Sequence, residues 1–240
     1  MKREWTNKIR FVLDELVPPI MRDSKWFMWP FFVMAYGTFS VSKYMSFKSC
    51  AYSMTDEEYA KFYGSLGNSV SRRRITDLNS ASIKKIIESA LMSDGMSILD
   101  VGAGNGYLLE KLKLIKNWNI IAGVDVAPAK DVQQKFTVYA NALPTLQFYD
   151  KQFDIVTCTH VIEHVLDPAA SIKELLRVAA KLLIVVIPRQ RYFYYTLDEH
   201  LNFYPDIEPF LYIFSPYKVT VSLQGGDWFL LVDLERQDIS

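Results

Sequence analysis

The sequence predicts a doubly wound α/β fold, its mostly parallel sheet closed by an antiparallel C-terminal hairpin. Three observations predict it. From residue 81 onward, short apolar runs alternate with segments of helical periodicity, the pattern of a parallel sheet with helices on both faces. A glycine-rich turn, Asp100-Val-Gly102-Ala-Gly104-Asn-Gly106, joins the first apolar run to the helix after it. The chain then ends on two apolar runs separated by Gln224-Gly-Gly-Asp227, a tight-turn signal.

Each element follows from its residues. Ile83, Ile86, Ile87, Ala90 and Leu91 recur at helical spacing. Ser97–Val101 reads as a strand, and Leu108, Leu109, Leu112 and Ile115 mark the next helix. Ile120–Val124, Phe136–Tyr139 and Phe153–Cys158 read as further strands. Asp167-Pro168 opens a helix, because Asp accepts from free N–H groups and Pro suits the first helical position. Ile172, Leu175, Leu176 and Ala179 give that helix its apolar face. Lys181–Ile187 is almost wholly apolar, as a strand buried on both faces requires. Tyr217–Leu223 and Trp228–Leu234 form the hairpin.

Ahead of this domain, assigned to residues 81–240, residues 1–80 read as a helical extension or lid. Trp5, Ile9, Val12, Leu13 and Leu16 form a helical stripe flanked by Lys2, Arg3, Lys8 and Arg10. The run Trp26–Phe39 is very apolar, but it is shorter than the ~20 residues that span a bilayer, and Pro30 interrupts it. A lid packed on the main domain is expected here, with peripheral membrane contact through residues 1–43 as the alternative. Gly64 and Gly67 break any pattern between 44 and 80, and Arg72-Arg-Arg74 reads as a solvated face.

Composition narrows the function classes. Lys+Arg and Asp+Glu balance at 27 each in 240 residues. That balance argues against holding nucleic acid by bulk charge. Two cysteines, Cys50 and Cys158, make no disulfide framework or Cys-rich zinc module. The first ten residues are polar and basic, unlike a secretory signal. A cytoplasmic setting is expected, with membrane association tied to the lead segment.

The turn from Gly102 lacks the G-x-G-x-x-G spacing of a dinucleotide fingerprint, because Tyr107 stands where that fingerprint needs Gly. No Lys-Ser/Thr pair follows, so it is no P-loop. Asp125 ends the second strand, placed to accept from two ribose hydroxyls. On these residues, Ala81–Leu234 resembles the class I S-adenosylmethionine-dependent methyltransferases. The resemblance implies a Rossmann-like seven-stranded sheet. Ile98–Gly106 is similar to that family's first motif, so Asp100, Gly102, Gly104 and Gly106 are expected around the methionine end of the cofactor. Gly123-Val-Asp125-Val126 is similar to the second, implying Asp125 on the ribose and Val126 against the adenine. Asn141, Ala142 and Leu143 correspond to the segment at the adenine edge, with Asn141 standing where the family often has Asp. Thr159 lies at the mouth of the cleft.

The three histidines, His160, His164 and His200, all fall where carboxyl ends of strands are expected, the ligand side of open α/β sheets. His160-Val-Ile-Glu163-His164 is similar to a Glu-x-x-Glu-His pattern of methyltransferases that modify quinone precursors or cap small RNAs. There, carboxylates and histidines can hold a divalent metal. Here His160 replaces the first Glu, so a metal is not expected, and Glu163, His164 and His200 are its ligands if one binds. The other roles open to the histidines are general base and structural or substrate-binding contact. Arg189, Arg191 and Tyr195, in an arginine–aromatic loop, are expected to contact the acceptor. The expected function is S-adenosylmethionine-dependent O-methylation of a small-molecule, glycan or lipid-linked acceptor. The alternatives are an RNA or protein methyltransferase and a non-catalytic cofactor-binding module.

Overall fold

A computed structural model describes residues 12, 16–65 and 75–235. Most of the basic N-terminal stripe, Gly67 and Arg72–Arg74 lie outside the described residues. The lead carries helices α1 (Pro19–Arg22), α2 (Lys25–Tyr36), α3 (Val41–Met45), α4 (Phe47–Cys50) and α5 (Asp56–Ser65). The α/β part follows in the order α6 (Ser80–Met92), β1 (Ser97–Val101), α7 (Tyr107–Lys113), β2 (Ile120–Asp125), α8 (Lys130–Gln133), β3 (Thr137–Ala140), β4 (Phe153–Thr159), α9 (Pro168–Val178), β5 (Ala179–Pro188), α10 (Glu208–Leu211), β6 (Val219–Gln224) and β7 (Asp227–Asp233).

The strands form one sheet of order β3-β2-β1-β4-β5-β7-β6. Strands β1 to β5 pair in parallel, and β7 runs antiparallel to both β5 and β6. The hairpin turns on Gly225 and Gly226, both at positive φ (57° and 101°), where a side chain is strained. Successive strands are added first to one side of β1 and then to the other, so the carboxyl ends of β1 and β4 meet at a topological switch point.

Alternation along the strands builds two cores. Leu99, Val101, Val156, Leu183, Val185 and Leu230 face α9, through Ile172 and Leu175, and the segment around Phe210 and Phe214. Ile98, Ile155, Ile184, Val186 and Phe229 face the other way, onto Ile86 and Ala90 of α6 and Leu108 and Leu112 of α7. The predicted face of α6 holds except at its end, where Leu91 is exposed. Two caps fix helix starts. Asp167 Oδ1 accepts from Ala170 N at 2.9 Å, and Asn79 Oδ1 accepts from Ser82 N at 2.9 Å.

The lead packs on the long segment after β5. Met28 and Phe32 of α2, with Val41 and Met45 of α3, close over Tyr195 and Leu197. Phe47, Ala51 and Phe62 close over Leu201. Pro30 does not break α2, which runs continuously through it. The expectation of an interruption fails because buried Met28 and Phe32 pin the helix on both sides of the proline, and such packing outweighs the one lost hydrogen bond. Buried Arg22 donates to the Tyr195 carbonyl and stacks on Phe193. Asp23 accepts from Tyr194 N at 2.6 Å. Lys48 donates to the Phe193 carbonyl and lies over the Phe203 ring; burial pushes its pKa down to about 7.

Candidate active site

The turn between β1 and α7 is built from three left-handed glycines, Gly102 (φ 83°), Gly104 (φ 52°) and Gly106 (φ 75°). They differ in what surrounds them. A Cβ on Gly102 would stand 2.1 Å from Val161 Cγ2, and one on Gly106 2.8 Å from Val132 Cγ1. A Cβ on Gly104 would meet nothing nearer than 4.0 Å. Gly102 and Gly106 are therefore needed by the fold, while Gly104 leaves open space beside the turn. The turn is anchored on β2: Gly102 N and Ala103 N both donate to Val124 O, at 2.8 and 2.9 Å.

Asp125, at the tip of β2, reaches across the same space. Its Oδ2 accepts from Gly104 N at 2.8 Å and its Oδ1 from Ala127 N at 2.9 Å. Val126 beside it is exposed. Asn141 follows β3, where its N donates to Asp125 O at 3.1 Å and its Oδ1 accepts from Ala142 N at 2.8 Å. Leu143 turns inward onto the main core. Asp100 lies beneath the turn, 1% exposed, with Oδ1 accepting from Thr157 Oγ1 at 2.8 Å. Burial is the main cause that raises its pKa from 3.8 to about 7, and the Asp125 carboxylate adds to it.

Across the switch point, β4 ends at Thr159 and passes into the histidine loop. His160 N still donates to Val186 O of β5 at 2.9 Å. His160 has positive φ (53°), which turns its ring between two carboxylates. Nδ1 lies 3.2 Å from Glu163 Oε1 and Nε2 lies 3.3 Å from Asp227 Oδ2. Burial disfavours the charged ring, but the two carboxylates outweigh it, and the pKa is raised to about 10. Glu163 is fully buried, and its Oε2 has no hydrogen-bond partner among the described residues. Its carbonyl accepts from Leu201 N at 2.8 Å and Asn202 N at 3.0 Å. Those bonds bring the loop after β4 against the segment carrying His200.

His164 and His200 thus meet ring to ring, with centroids 4.9 Å apart. His164 Nδ1 is 3.2 Å from the Glu199 carbonyl. A carbonyl only accepts, so Nδ1 carries a proton and donates. His200 Nδ1 is 2.7 Å from Gln190 Oε1, and its Nε2 faces Asp198 Oδ2 at 3.8 Å. Ligand atoms of Glu163, His164 and His200 all lie within 4.8 Å of one another. One carboxylate and two imidazoles can share a proton or hold a divalent cation.

The arginine–aromatic loop is tied up within the protein. Arg189 donates to Pro205 O at 3.3 Å and lies over Trp228, while Arg191 lies over Phe193. Tyr195 packs into the lead, its ring 6.2 Å from that of Phe32. Sequence reasoning missed Asp227, Thr157, Gln190 and Glu199. Asp227 stands in the turn signal that marked the hairpin, but only the β5–β7 register carries it to His160. The others are partners of predicted residues, and no local pattern announces them.

Residues 72–207 match a family described as a methyltransferase domain. The ubiquinone biosynthesis O-methyltransferase of Coxiella burnetii is 32% identical over 117 residues, 44% of this chain and 49% of that protein. The protein of the same name from Pasteurella multocida is 31% identical over 125 residues, 43% of this chain and 51% of that protein. The chain therefore spans about half the length of the curated relatives it matches. Among solved structures, magnesium protoporphyrin IX methyltransferase from Synechocystis PCC 6803 has a TM-score of 0.55 at 17% identity, covering 75% of this chain and 98% of that one. With the family matched over more than half of its residues, and with this strand order, the chain belongs to the methyltransferase-domain family, on the class I S-adenosylmethionine-dependent methyltransferase fold.

Proposed function

We propose that the chain transfers a methyl group from S-adenosylmethionine to a hydroxyl of a small-molecule acceptor. The observation that carries this reading is the opening at Gly104 faced by the Asp125 carboxylate. A cradle free of Cβ beside a carboxylate suits a nucleoside whose ribose donates two hydroxyls. The relatives support the acceptor class, since the two named above are O-methyltransferases. When bound, the cofactor supplies an electrophilic methyl on a sulfonium.

The rest falls to the chain's own residues. Asp125 exchanges its bond from Gly104 N for the ribose hydroxyls. Val126 and Ala142 flank the base, with Asn141 at its edge and Leu143 supporting the segment from the core. Asp100 fixes the underside of the turn through Thr157. Thr159 and the histidine loop form the acceptor side, with Arg189 and Arg191 at its rim. His160 is cationic at neutral pH, so it positions Glu163 rather than accepting a proton. His164 and His200, paired ring to ring, are the groups that take the acceptor's hydroxyl proton. Alignment of the two reactants contributes most to the rate.

A second reading is favoured by the Glu163–His164–His200 cluster: a divalent cation held there that orients the acceptor oxygen. Turnover measured with labelled cofactor over phenolic, sugar and lipid-linked hydroxyl acceptors tests the proposal. His200→Ala is expected to lower the rate about 100-fold and to leave S-adenosylhomocysteine affinity nearly unchanged. An unaltered rate removes His200 from the chemistry. Loss of turnover with EDTA, restored by a divalent cation, selects the metal reading. Cofactor binding without transfer to any acceptor selects the non-catalytic module.

A further inference from the structure

We propose that the outer face of α1 and α2 docks into the interfacial layer of an anionic lipid bilayer. A surface helix ordinarily turns polar residues to water. Between Trp26 and Tyr36, α2 has no charged residue at all. Its inner face is used: Met28 and Phe32 are buried on the segment after β5. Its outer face is apolar as well, with Trp26 75%, Trp29 46% and Met34 59% exposed. Ile20 of α1 (84%) and Phe39 beyond α2 (103%) extend the same character.

At 12 residues, α2 is about 18 Å long, too short to cross a hydrocarbon core of about 30 Å. Among the described residues, no helix is long and apolar enough to cross a membrane. An apolar helix of this length lies in the plane of the interface, where Trp is the favoured anchor. Charge selects the occupant. In the sequence, the first 25 residues carry Lys2, Arg3, Lys8, Arg10, Arg22 and Lys25 against Glu4, Asp14, Glu15 and Asp23, a net basic balance, and Lys25 opens α2. Anionic headgroups complement it. The inner face of α2 also roofs the run toward His200: Tyr36 donates to Leu197 O at 2.6 Å. On the methyl-transfer reading, this surface lets an apolar acceptor enter from the bilayer.

Co-sedimentation of the full chain with vesicles tests the surface. One set holds roughly a quarter phosphatidylglycerol in phosphatidylcholine, and the other is phosphatidylcholine alone. The parent is expected to bind the anionic vesicles more tightly. Combining Trp26→Ser, Trp29→Ser and Met34→Ser is expected to weaken that binding about tenfold or more, with S-adenosylhomocysteine binding retained as the check on folding. Trp26→Ser alone serves if the triple variant does not fold. No sedimentation of the parent, or equal sedimentation of the variant, overturns the proposal. Dimerisation that the same substitutions abolish, without vesicle binding, assigns the face to a second copy and also overturns it. Vesicle binding by a chain that binds no cofactor leaves the docking surface standing and removes the methyltransferase reading instead.

Discussion

His160 sets the sign of the charge at the site. Where the resembling pattern has a carboxylate, this chain has a ring between Glu163 and Asp227, at 3.2 and 3.3 Å. Its cation offsets a glutamate that is fully buried. His160→Gln leaves that charge unpaired and is expected to cost about 3 kcal/mol, read from urea unfolding at pH 7. An unchanged midpoint shows that Glu163 does not depend on the ring. Asp100 gives a pH dependence. Between 3.8 and about 7 the folded chain holds a proton there that the unfolded chain has released. Stability therefore falls as pH rises through that window, and the full cost stands above pH 7. Asp100→Asn is expected to flatten this slope and raise stability at pH 8, as measured by unfolding at several pH values. An identical slope assigns the effect to another group. The histidines and Asp125 were legible in the sequence as types at strand ends. Asp227 was not, because its meeting with His160 is made by sheet register across 67 positions rather than by a motif.

At the scale of elements, the strands and α6, α7 and α9 were legible because each buries one face at its own period. The short lead helices were not, because their order comes from contacts with residues far along the chain. Pro30 was misjudged for the same reason: α2 takes its stability from the segment after β5 rather than from propensity. The glycine turn separates fold from ligand. Gly102→Ala places a methyl 2.1 Å from Val161 at a left-handed φ and is expected to cost about 3 kcal/mol or more. Gly104→Ala meets no clash and is expected to cost about 1 kcal/mol, yet it fills the proposed cradle and should weaken S-adenosylhomocysteine binding by far more than its stability cost. Thermal unfolding with and without ligand separates the two. Equal losses of stability and affinity in both variants contradict the division of roles.

For the whole molecule, zero net charge conceals an uneven arrangement. A basic stretch stands at the start of the sequence, two arginines lie beyond β5, and carboxylates gather at the sheet's ligand edge. The lead is joined to that edge through Arg22, Tyr36, Lys48 and Tyr59, each donating to a backbone carbonyl near the histidines or in the loop after β5. Arg22→Ala should therefore loosen the segment that carries His200, lowering turnover more than cofactor affinity; equal effects on both would show that the lead does not position the acceptor side. The expectations about turnover and cofactor affinity depend on the cofactor occupying the Gly104 cradle against Asp125. Calorimetric titration of S-adenosylhomocysteine into the full chain and into Asp125→Ala tests that most directly. One site per chain, weakened about tenfold or more by the substitution, is the predicted result; no binding to the parent, or equal binding to both, contradicts it.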